Sequence, residues 1–73
     1  MADKQVNNSL GKKIKELRLK NNLSQDELAR KADVPYTTLT KIEIGVIKKP
    51  SVFVVAKIAK ALNISLDNLI NNE

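Results

Sequence analysis

The stretch Tyr36-Thr37-Thr38-Leu39-Thr40-Lys41-Ile42-Glu43 sets hydrogen-bonding side chains where a buried helix would carry apolar ones. On a helix advancing about 100° per residue, Tyr36, Thr40, Ile44, Thr37 and Lys41 fall within one arc of about 140°, while Leu39 and Ile42 point the other way. An ordinary solvated face would favour Glu, Lys, Ala and Gln, which are better helix formers. Threonine and tyrosine are poorer choices, so something other than helix propensity selects them. Threonine joins a short hydroxyl to a methyl, which suits a base edge and the thymine methyl; lysine reaches guanine or a phosphate. The face holds no nucleophile–base pair. Its chemistry is recognition, not bond breaking.

Composition points the same way. With 73 residues the chain supports one small domain, near the lower end of what folds alone. It has no cysteine and no histidine. Disulfides, thiolate and zinc sites, and His-based catalysis are therefore excluded. The carboxylates are scattered over separate segments, so no enzyme, no metal and no cofactor is expected. Thirteen Lys and Arg against eight Asp and Glu leave a net charge of +5, which on so small a body favours a polyanionic partner. A charged surface kept for solubility is the bland alternative. The positions favour the first reading: Lys12, Lys13, Lys15, Arg18 and Lys20 fall in one segment, Lys48 and Lys49 in another. One Tyr and one Phe do not provide paired aromatics for stacking RNA bases. No apolar run approaches the roughly 20 residues of a membrane span. The opening "MADKQVNNS" lacks the apolar core of a signal peptide, so a cytoplasmic location is expected.

The elements that must position the face follow from periodicity and caps. Residues 1–7 have little apolar content and are expected as a flexible tail, with a domain over 8–71. From Asn8 or Ser9 onward Leu10, Ile14 and Leu17 recur at helical spacing, and "KNN" ends this helix because asparagine tolerates left-handed backbone. Ser24-Gln25-Asp26-Glu27 is a capping box opening a second helix, with Leu28, Ala29 and Ala32 inward and a stop at Asp33. Pro35 suits the start of a third helix, closed by Gly45. After the loop "VIKKP", Ser51 caps a fourth helix with Val52, Val55, Ala56, Ile58, Ala59 and Leu62 inward. Ser65 caps a last helix containing Leu66, Leu69 and Ile70. No strand signal appears. The expected class is all-α, a compact five-helix domain.

Leu23 to Gly45, "LSQDELARKADVPYTTLTKIEIG", resembles the helix-turn-helix of the phage repressor and Cro-type (Xre-like) family, and the likeness extends from Ser9 to Ile70. The Ser-Gln helix start, Leu28-Ala29, the turn at 33, Leu39 and Ile42, Glu43, Gly45 and the Pro50-Ser51 restart carry it together. The resemblance implies a repressor-like DNA-binding domain whose second and third helices form the motif, the third lying in the major groove. It places Gln25, Tyr36, Thr37, Thr40 and Lys41 where base edges are read. It places Lys13, Ser24, Lys48 and Lys49 where phosphates are gripped. Arg18 and Glu43 fall where family members form a buried ion pair. Ile64, Leu66, Leu69 and Ile70 fall where two copies meet.

Three departures stand out. Asp33 replaces the usual turn glycine, and Pro35 replaces a capping hydroxyl. Phe53 and Val54, with Ile44 and Ile47, are apolar where polar residues are common, which suggests either a protein partner's surface or extra core packing. The function expected is a sequence-specific transcriptional regulator, a repressor or controller, binding a near-palindromic operator on double-stranded DNA as a homodimer. The alternative is a protein-interaction module, such as an antitoxin or an accessory subunit of a modification system, with DNA binding secondary.

Overall fold

The computed structural model describes residues 2–70, with side chains from residue 10 onward. Five helices follow one another: α1 (Ala2–Lys20), α2 (Gln25–Ala32), α3 (Tyr36–Glu43), α4 (Val52–Ala61) and α5 (Leu66–Ile70). The class is all-α, as expected, with no strand among the described residues. α1 begins at Ala2, ahead of the start expected at Asn8 or Ser9. No Pro or Gly precedes Gly11, so nothing local stops the helix there. The expected domain end at residue 71 lies outside the described residues.

One left-handed closure ends four helices. At the end of α3 it is formed by Gly45 (φ 88°), with the Val46 amide donating to the Lys41 carbonyl at 2.9 Å, and at the other three an apolar residue turns inward. Asn22, Asp33 and Asn63 each take left-handed backbone, with φ of 58°, 61° and 59°. In each joint the next residue sends its amide back five residues: Leu23 to the Arg18 carbonyl (3.1 Å), Val34 to Ala29 (3.0 Å) and Ile64 to Ala59 (3.0 Å). These are Schellman closures, in which a left-handed residue lets the chain pair the last helical carbonyls and turn an apolar residue inward. Val34 is buried, and Leu23 and Ile64 pack on the core. Ser24 and Ser65 then open α2 and α5 as caps, their Oγ atoms accepting the Glu27 and Asn68 amides. The glycine missing at position 33 is thus replaced by an aspartate that accepts the same backbone.

α1 packs on α3 and α5, and α2 packs on α3 and α4. Between them Ile14, Leu28, Leu39, Ile42, Ile58 and Leu69 are fully buried. The inward arc of α4 differs by a part-turn from the expected one. Val55, Ile58, Ala59, Ala61 and Leu62 are buried and Val54 packs against them, while Val52 and Ala56 face outward. The reason is tertiary: α4 seats against both α2 and α5, which rotates its buried stripe toward Val54 and Ala61.

Gly11 lies inside α1, where glycine costs about 1 kcal/mol relative to alanine. It is buried against the end of α3. A Cβ there would lie inside contact distance of the Ile42 carbonyl oxygen and 3.1 Å from that of Glu43. A close approach of two backbones explains the choice.

Candidate nucleic-acid interface

The seat of α3 is a buried ionic network. The Arg18 Nε donates to Glu43 Oε2 at 2.8 Å and its Nη2 to Oε1 at 3.2 Å, while Nη1 donates to the Leu23 carbonyl at 2.8 Å. Gln25 Nε2 donates to Glu43 Oε1 at 3.0 Å. Only 1% of the Glu43 side chain and 9% of Arg18 remain exposed. A buried pair is tolerated when its remaining donors and acceptors are filled, and no buried side-chain N or O among the described residues lacks a partner. The expected Arg18–Glu43 pair is present. It ties α1, the first joint and the start of α2 to the last turn of α3.

Held this way, α3 turns Leu39 and Ile42 into the core and Tyr36, Thr37, Lys41 and Ile44 into solvent. Thr40 is half-buried, and its hydroxyl donates to the Thr37 carbonyl at 2.9 Å, leaving an oxygen that can only accept. Gln25 keeps one amide N–H and its carbonyl free of the Glu43 bond. Ser24 Oγ accepts the Glu27 amide at 3.0 Å, and the Ser24 amide donates to Glu27 Oε1 at 2.8 Å. The serine hydroxyl hydrogen is left to donate outward. The same bonds hold the Glu27 carboxyl below its ordinary 4.5, the Ser24 amide first, its side chain next, with Arg30 adding a positive charge. Lys48 and Lys49 stand exposed on the loop after α3.

Lys13, on α1, is bonded within the fold. Its ammonium donates to the Asn68 carbonyl at 2.6 Å, on the side of α1 that meets α5 rather than α3. A cation at the end of a helix satisfies carbonyls and the dipole there, so this lysine serves α5. Leu69, expected in the contact between two copies, is 1% exposed and belongs to the core. A helix of five residues that must close one end of the core cannot also present that side chain. Ile64 and Leu66 are half-buried, and Ile70 is exposed.

The apolar corner is also redrawn. Ile47 and Val54 pack against the core, while Ile44, Val46, Val52 and Phe53 are exposed, Phe53 at 77%. Sequence reasoning missed Val46 and Val52 here, and Gly11 at the back of α3. A glycine two turns before Arg18 on the same stripe was the available signal for Gly11. The bond from Gln25 to Glu43 had no signal in the sequence.

Two short helices joined by a tight left-handed turn, the second presenting a polar outer face, define a helix-turn-helix domain. The Helix-turn-helix family profile matches residues 14–69, and the chain belongs to this family, of the Cro/C1 type. Solved structures agree. The N-terminal DNA-binding domain of SinR from Bacillus subtilis is 30% identical, with a TM-score of 0.86 over 90% of this chain and 96% of that one. SinR, the master regulator for biofilm formation, in complex with DNA is 32% identical, with a TM-score of 0.82 over 85% and 98%. A chain of the SinR–SinI protein complex is 32% identical, with a TM-score of 0.83 over 86% of this chain. This chain spans 61% of that one, less than two thirds. No curated protein matches the chain.

Proposed function

We propose that the chain is a DNA-binding transcriptional regulator, a repressor or controller, that binds a near-palindromic operator as a homodimer, with α3 in the major groove. The observation that carries this is the outward face of α3, Tyr36, Thr37 and Lys41, held rigid from behind by the buried Arg18–Glu43–Gln25 network. In this reading Tyr36, Thr37, Thr40 and Lys41 meet base edges, with the free N–H of Gln25 at their margin. Ser24, Lys48 and Lys49 meet phosphates. The DNA complex of a structural neighbour supports it. One such domain reads few bases, and two related by a twofold axis read half-sites about 34 Å apart. Ile64, Leu66 and Ile70 remain available for the twofold contact once Leu69 is assigned to the core.

Selection of bound duplexes from random DNA tests the reading. One dominant sequence with twofold symmetry is expected, with affinity falling steeply between about 50 and 200 mM salt. Thr37→Ala or Lys41→Ala should cost about 1–3 kcal/mol on the best site and shift the preferred bases. Selection of no sequence would sink the reading.

A second reading rests on a separate observation. Ile44, Val46, Val52 and Phe53 are exposed on either side of the loop that carries Lys48 and Lys49, and a surface made by them would suit a protein partner or the second copy itself. Sedimentation of Phe53→Ser and Ile70→Ser variants separates the surfaces. Loss of the DNA-bound dimer in Ile70→Ser alone supports the last helix, and loss in Phe53→Ser alone moves the contact to the corner.

A further inference from the structure

We propose that Gly11, remote from the outward face of α3, is a positioning residue for DNA reading: the missing side chain sets how closely the last turn of α3 sits on α1. This inference rests on the regulator reading above and adds a residue that touches no DNA. A Cβ at Gly11 would collide with the Ile42 carbonyl oxygen and crowd the carbonyl of Glu43 at 3.1 Å. Both are backbone atoms, which cannot rotate away as a flexible side chain can. Two turns further along the same stripe of α1, Arg18 grips the carboxylate of Glu43. α1 therefore holds one turn of α3 at two points. Arg18 binds the end of the turn, and Gly11 fixes its depth. Lys41 and Ile44 project outward from that turn. Adding a methyl at position 11 must lift the turn by more than the roughly 0.5 Å within which a binding constellation has to be held. Sequence-independent binding depends on net charge and phosphate contacts and is less sensitive to such a shift.

The experiment compares Gly11→Ala with Ile58→Val, a small deletion in the core on α4, a helix that packs chiefly on α2 and α5. Each is measured for melting, for affinity to the selected site and to random duplex, and for amide chemical shifts in the DNA-free protein. At a temperature where both are folded, Gly11→Ala should lose about tenfold or more of its specific-to-random ratio while Ile58→Val stays within about twofold. The amide shifts of Gly11→Ala should concentrate at residues 41–47. A ratio equal to that of Ile58→Val, or shifts spread as in that variant, would overturn the proposal. So would a Gly11→Ala protein that stays unfolded even in trimethylamine N-oxide, which strengthens burial, because the contact would then serve the fold and not the seat of one helix. If the wild type selects no DNA sequence, the regulator reading fails, and the amide shifts alone decide whether Gly11 seats α3.

Discussion

The two ends of α3 are held in opposite ways. At its start Pro35 offers no side-chain cap, Asp33 before it sits in left-handed backbone, and Tyr36 is half exposed. At its end Glu43 is bonded by Arg18 and Gln25, and Gly11 admits the backbone of α1 against Ile42. The helix is anchored from its last turn. No side-chain cap competes for the amides of its first turn, and the residues best placed to meet a ligand, Tyr36 and Thr37, lie there. The start of α2 is different again, closed on itself by the Ser24–Glu27 box. A rear held by side-chain bonds and an uncapped front suit the proposed entry of α3 into a groove in one orientation.

The largest test strikes the anchored end. Arg18→Ala leaves the Glu43 carboxylate buried without its partner, and breaking such a pair costs about 3–5 kcal/mol, which for a small domain threatens the fold itself. Thermal melting reads it, and a melting temperature within a few degrees of the wild type would end the claim that this end carries the anchor. At the opposite end Asp33→Gly should do the reverse. It removes the left-handed strain of a side chain and stabilises by up to about 1 kcal/mol, less what the freer unfolded chain takes back. The Asp33 carboxylate is 95% exposed and lies 3.9 Å from Lys57, so losing that contact matters little. A destabilised Asp33→Gly protein would mean that the open end depends on this side chain after all.

The smallest test is acid. The Glu27 carboxyl is held below its ordinary 4.5 in the folded protein. Its contribution is therefore present above that value and is lost as pH falls through the lowered one. Urea melts of wild type and Glu27→Gln between about pH 7 and pH 3 should converge as pH falls. Curves that stay parallel would show that the box at the start of α2 does not distinguish it from the uncapped start of α3.

Much of this was legible in the sequence because it is local. The left-handed residues at 22 and 33, the serine caps at 24, 51 and 65, and the outward arc of α3 each depend on atoms within a few residues of one another. The Arg18–Glu43 pair is not local, and only the family resemblance supplied it. The extension of α1 back to Ala2 was missed because low apolar content says that a turn has nothing to pack on, not that its backbone cannot be helical.

The sequence alone determined five helical segments, their joints and caps, the polar face of α3 and a basic chain suited to a polyanion. Tertiary structure alone decided which way each helix is rotated and how near it comes to its neighbours. It moved Val54 inward and Val52 outward, committed Leu69 to the core and Lys13 to the end of α5, joined Gln25 to Glu43, and brought the backbone of α3 onto Gly11. Periodicity gives the angle of a residue around its own helix axis. It carries no record of the distance and crossing angle between two axes, and those set which side chains are spent in packing and which are left to act.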